Sequence, residues 1–137
     1  MKKKVLFICT HNSNRSQIAE ALLNYLYPDK YEAYSAGTQP SKVNEYAIKV
    51  LKEVGIDISK NRSKHIEEFK DEIFDYVVTV CDTAKETCPF FPNAKEFIHK
   101  SFYDPSGFIG TEEEKLEKFR ILREEIKNFL RETFGEK

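Results

Sequence analysis

The stretch VLFICTHNSNRSQIAEALL, residues 5–23, decides how this chain is read. Its apolar run ends on Cys9, seven polar residues follow from Thr10 to Ser16, and Ile18, Ala19, Leu22, Tyr25 and Leu26 then recur at helical spacing, with Pro28 just beyond. The run with its β-branched and aromatic residues predicts a strand over 3–9 buried on both faces, and the spacing predicts a helix over 15–26. A polar loop that joins a strand to a helix N-terminus presents backbone N–H groups and partial positive charge to one point, which suits a tetrahedral oxyanion. Asn12 and Asn14 tolerate the left-handed backbone that a tight loop requires. Arg15 adds a planar fork able to grip two oxygens, so Thr10, His11, Asn12, Ser13, Asn14 and Arg15 form the expected anion cradle. The same oriented donors favour the thiolate of Cys9, and Ser16 could donate its hydroxyl hydrogen to that sulfur.

The rest of the chain alternates. Strands are predicted over 31–37 (YEAYSAG), 74–81 (FDYVVTVC) and, more weakly, 96–102 (EFIHKSF). A helix carries Tyr46, Ala47, Val50, Leu51 and Val54 on one face and ends near Gly55. The last helix begins at Thr111, where Thr111 and Glu114 fit a capping box, and presents Leu116, Phe119, Leu122, Ile126, Leu130 and Phe134. A short helix is expected around 65–72. This order implies an α/β fold in which a parallel sheet is covered on both faces. Ligands of such sheets bind at the carboxyl ends of the strands, where the strand order reverses. Cys9 and Cys81 both end predicted strands and should share that rim.

At 137 residues, 40% hydrophobic and 33% charged, with a formal net charge of -1, residues 1–137 are expected to form one globular domain. The charge balance calls for no nucleic acid. MKKK followed by VLFIC is too short in its apolar part for a signal core or a membrane span, so a cytoplasmic location is expected. There, the three cysteines read as catalytic or redox-active rather than structural. No C-x2-C or H-x3-5-H spacing occurs, so no metal site and no cofactor is expected. His11 could tune Cys9 or be a solvated loop residue; His65 and His99 receive no role.

A cysteine, five residues, an arginine and a serine after the first strand, with Asp104-Pro105 late in the chain, resemble the low-molecular-weight protein tyrosine phosphatase superfamily. RSQIAEA, YSAGTQP and LKEVGIDISKNRSKHI extend the likeness over nearly the whole chain. It implies a three-layer fold with a four-stranded parallel sheet flanked by helices, and Asp104 as the acid that protonates a departing oxygen. Within the superfamily, Cys81 and Cys88 in VVTVCDTAKETCPFFP look like the redox segment of thioredoxin-coupled arsenate reductases. RSQ in place of RSP points the same way. By that likeness Cys9 attacks arsenate, Cys81 attacks the sulfur of Cys9, Cys88 resolves, and thioredoxin or a similar dithiol protein regenerates the enzyme. Each transfer needs α-carbons within about 7 Å, so the segment 82–88 should be mobile.

Phosphate or sulfate would mimic the substrate, and a monomer is expected. Some of these reductases bind potassium through side chains matching Asn12, Glu20 and Ser35 with an aspartate further on. Here the fourth position is Lys64, whose ammonium would stand in for the ion. Two other readings remain: a phosphatase acting on aryl phosphates, and a non-enzymatic thiol sensor or arsenic-binding module. The anion loop cannot choose among them.

Overall fold

A computed structural model describes residues 2–82 and 91–135. Four strands, β1 (Lys3–Cys9), β2 (Tyr31–Gly37), β3 (Phe74–Thr79) and β4 (Ala94–His99), form a fully parallel sheet in the order β2-β1-β3-β4. Its helices are α1 (Arg15–Leu26), α2 (Glu45–Lys52) and α3 (Glu112–Phe134). β1 is central, and Val5 through Cys9 are all buried, as a continuous apolar run requires of a strand covered on both faces.

Alternation along β1 divides the core. Val5, Phe7 and Cys9 face α1, α2 and α3, packing with Ile18, Leu22, Leu51, Leu122, Ile126 and Phe134. Leu6 and Ile8 face the opposite side, where Ala36, Phe69, Phe74, Val77 and Phe91 close the core. Phe69 belongs to a 3-10 turn, Ile66–Phe69, lying in the crossover from β2 to β3, so the sheet is the middle of three layers. Thr111 caps α3 with Glu114 in a reciprocal capping box, as the sequence predicts.

The sequence-based boundaries shift in four places. Tyr25 is 60% exposed and Leu23 is buried in its stead, so the buried stripe of α1 is rotated by part of a turn. α2 stops at Lys52, and Val54 lies outside it, partly in solvent. Gly55 takes the left-handed φ of 84° that ends the segment. β3 ends at Thr79 rather than Cys81, although the Val80 N–H still donates to Ile8 O. β4 starts and stops earlier than expected, because Phe102 leaves the ladder and turns its carbonyl toward Arg15.

A parallel sheet in this order switches direction between β1 and β3, since the chain goes from β1 to one side and then crosses to the other. The loop after β1 therefore opens at the switch point. Gly37, level with Cys9 on β2, lies directly beneath it. A Cβ at Gly37 would stand 2.4 Å from Thr10 O and 2.8 Å from Cys9 O, so only glycine allows this approach.

Candidate active site

The loop from Thr10 to Asn14 is held from outside by donors of other segments. Gln39 N–H donates to Thr10 O at 2.9 Å, the Ser63 hydroxyl to His11 O at 2.6 Å, and Asn44 N–H to Ser13 O at 2.9 Å. The C=O and the following N–H of a trans peptide point opposite ways. Carbonyls drawn outward therefore turn the N–H groups of His11 and Asn14, both of which line the cavity, inward. His11 Nδ1 also lies 2.9 Å from Gln39 O, which ties its ring to the loop that follows β2.

Asn12 is the loop's centre. It is fully buried and takes a positive φ of 50°. Its Oδ1 accepts from Lys64 N–H at 2.9 Å and from Gln17 Nε2 at 3.0 Å, and its Nδ2 donates to Ser16 Oγ at 2.7 Å. Ser16 Oγ lies 2.9 Å from Cys9 Sγ; Asn12 takes one of its two lone pairs, and its hydroxyl hydrogen is available to a charged sulfur.

Arg15, 2% exposed, is the largest fully buried side chain. Its guanidinium reaches Phe102 O and Asp104 Oδ2, each at 3.4 Å. Asp104 precedes a 3-10 turn, Pro105–Gly107, and its Oδ1 accepts from Ser106 N–H at 2.9 Å and Asn14 Nδ2 at 3.0 Å. Burial by itself would push this carboxyl up. The Ser106 N–H, the Asn14 amide and the Arg15 guanidinium outweigh burial and hold it below the usual carboxylate range. Cys9, His11, Ser13, Asn14, Arg15, Ser41, Asp104 and Ser106 line one cavity of about 180 Å³, smaller than the roughly 300 Å³ at which pockets for drug-sized ligands begin. It suits a small anion.

Of the predicted site residues, the fold thus gathers Cys9 to Ser16 and Asp104. Cys81 is fully buried just beyond β3, with its sulfur 3.8 Å from Ile8 O, one peptide from Cys9. Cys9 is a free thiol and Cys81 is disulfide-bonded. Cys88, and with it most of the segment expected to be mobile, lies outside the described residues. Sequence reasoning missed Gln17, which is fully buried and bonds both Asn12 and Arg62 O, and the cavity serines Ser41 and Ser106. Asp104-Pro105-Ser106 is an Asx-turn sequence, and that signal could have found Ser106.

Beside the loop, Glu20 Oε1 accepts from Ser35 Oγ at 2.5 Å and lies 3.8 Å from Lys64 Nζ. Burial raises the Glu20 carboxyl above its ordinary value, and Lys64 and Ser35 counter only part of that. The penalty for charging Glu20 is felt at neutral pH and relieved as pH falls through its raised pKa. We therefore expect Lys64→Met to lose about 2 kcal/mol in urea unfolding at pH 7, with the loss shrinking on acidification. A loss that is constant with pH would argue against the ion pair.

A thiol under a cradle of amides, flanked by a buried guanidinium and a carboxyl group at the switch point of a parallel sheet, defines a cysteine-based oxyanion enzyme. The profile of the low molecular weight phosphotyrosine protein phosphatase family matches residues 4–134, and the chain belongs to that family. It is 43% identical over 135 residues to an arsenate reductase of Halalkalibacterium halodurans, covering 98% of this chain and 96% of that one. An arsenate reductase solved in its phosphate binding state superposes with a TM-score of 0.80 at 35% identity, over 96% of this chain and 95% of the other. A thioredoxin-dependent arsenate reductase of Corynebacterium glutamicum matches at TM-score 0.64 and 27% identity, over 96% of this chain and 63% of its own. Among the described residues no helix is long and apolar enough to cross a membrane.

Proposed function

We propose that this chain reduces arsenate to arsenite by a relay of its three cysteines and is regenerated by thioredoxin or a similar dithiol protein in the cytoplasm. The observation that carries the reading is a second buried cysteine, Cys81, two residues beyond the end of β3, the neighbour of the strand that ends in the anion site, with its sulfur 3.8 Å from Ile8 O. The similarity to arsenate reductases over nearly the whole chain supports it.

In this reading the oxyanion takes the Arg15 fork and the loop amides. The Cys9 thiolate attacks arsenic, an S–As bond forms, and an As–O bond breaks as Asp104 gives a proton to the departing oxygen. Cys81 then attacks the sulfur of Cys9. The S–S bond forms, the S–As bond breaks, and its electron pair stays on arsenic, which leaves as arsenite. Cys88 attacks Cys81, freeing Cys9 and passing the oxidation to a Cys81–Cys88 pair that an external dithiol reduces.

The test follows arsenite formation with thioredoxin, thioredoxin reductase and NADPH, alongside hydrolysis of an aryl phosphate. Cys81→Ser and Cys88→Ser should each abolish multiple turnover of arsenate and leave phosphatase activity. Full arsenate turnover by Cys88→Ser would refute the relay, and stoichiometric arsenic binding without a steady rate would identify a sensor. The alternative, an aryl phosphatase, is favoured by Asp104 lying in the same cavity as Cys9, and it predicts ester hydrolysis with no arsenite.

A further inference from the structure

Asn14 is 3% exposed and belongs to two structures at once. Its side chain caps α1, with Oδ1 accepting the Arg15 N–H, and it reaches Asp104. The amide can face only one way. The Arg15 N–H can only donate and so claims the oxygen, leaving Nδ2 to face the Asp104 carboxyl group at 3.0 Å. Oδ1 of Asp104 then holds two N–H donors, from Asn14 and Ser106, while Oδ2 faces Arg15 Nη2. An oxyanion that takes the Arg15 fork frees Oδ2, but both bonds to Oδ1 remain. Donors of this kind stabilise a carboxylate more than a carboxylic acid.

Resting on the reductase reading, we propose that Asn14 is a specificity-determining positioning residue: by donating to Asp104 it keeps that group charged, weakening the general acid on which ester hydrolysis depends more than arsenate reduction does.

The proton balance separates the two substrates. With the arsenate monoanion, the S–As bond forms, the As–O bond breaks, and the departing oxygen, which already carries one hydrogen, leaves as water after taking a second from Asp104 or, when that group is ionised, from the other hydroxyl of the anion. With a phosphate ester dianion, the S–P bond forms and the P–O bond breaks. Its electron pair goes to a leaving oxygen that carries no proton and must take one from Oδ2 of Asp104. A carboxyl group held ionised therefore penalises the ester first. Cys9, His11 and Arg15 line the same cavity as Asp104. Beyond Phe102 and Tyr103, Lys100, Glu125 and Glu132 border the neighbouring groove. Asn14 itself is neutral, so replacing it with serine changes donors without changing net charge.

The experiment compares wild type with Asn14→Ser, which keeps a capping hydroxyl at the start of α1 but is too short to reach Asp104. The Asp104 carboxyl is titrated by carbon NMR, and kcat is measured against pH for phenyl phosphate and for arsenate. We expect the Asp104 titration and the basic limb of the phenyl phosphate profile to move up together by about one pH unit, raising ester turnover relative to arsenate turnover about tenfold above the limb. Asn14→Asp keeps size and cap, replaces the donor by a like charge, and should move both further. An unchanged Asp104 titration in both variants would overturn the proposal. So would a shifted titration with the ratio of the two turnovers unaltered, as expected of simple damage to the loop. If the wild type makes no arsenite, the reductase reading fails, while the titration and the ester profile still judge the contact between Asn14 and Asp104.

Discussion

Replacing Cys9 with serine is expected to abolish arsenate reduction and aryl phosphate hydrolysis together, by at least about four orders of magnitude in kcat. The hydrogen bonds running from Asn12 Nδ2 to Ser16 Oγ and on to Cys9 Sγ, at 2.7 and 2.9 Å, can stabilise a sulfur anion. They cannot ionise an alcohol, whose proton is held far more tightly, and among the described residues the partner of that sulfur is the Ser16 hydroxyl, not a histidine or a carboxylate. The loop itself should survive, because its carbonyls are anchored by Gln39, Asn44 and Ser63 rather than by the thiol. Equilibrium binding of inorganic phosphate checks this: Cys9→Ser should still bind it. Ordinary turnover by the variant would move the nucleophile elsewhere.

Arg15→Lys should lower kcat/KM for both substrates by about two to three orders of magnitude, the loss typical of removing one preorganised oxyanion donor. The guanidinium spans Phe102 O and Asp104 with separate nitrogens, fixing its plane against the cavity. An ammonium is a point charge on a flexible stem and cannot hold two anion oxygens in a fork while keeping those contacts. Arg15 is also almost fully buried, so some thermal stability should go with it. Steady-state kinetics beside a thermal melt separates the two effects, and an unchanged kcat/KM would remove Arg15 from the site.

What was legible in the sequence follows from how local each signal is. β1, the loop and α1 are contiguous, and the apolar run and helical spacing that bound them are local signals, so their bounds coincide with those read from residues 5–23, although the anchors that hold the loop come from distant segments. Tyr25 and Val54 fit an apolar helical face on spacing alone, yet both are open to solvent, because the face that is buried depends on how α1 and α2 dock against α3. β4 was displaced for a similar reason: Phe102 looks like a strand residue, but its carbonyl serves Arg15, 87 positions away. Asp104 could be placed from its neighbour Pro105 and the family likeness. Its bond to Asn14, on which its charge depends, links segments 90 residues apart and left no mark on either stretch. Gln17 sits on the buried face of α1 among apolar neighbours, and nothing in helical periodicity marks its amide as a tie between Asn12 and Arg62.

Asn12 also bears on how freely this loop can drift. A left-handed residue in a turn is ordinarily exchangeable for glycine, which relieves the backbone at little cost. Here the same residue supplies an amide that bonds Ser16, Gln17 and Lys64. Glycine would satisfy the backbone and lose all three bonds, while a longer polar residue would keep some of the bonds and pay in backbone strain. The usual order of mutational tolerance, loops before cores, is thereby inverted: β1 can trade one apolar side chain for another of similar volume, whereas the loop above it has no neutral neighbour in sequence space at this position.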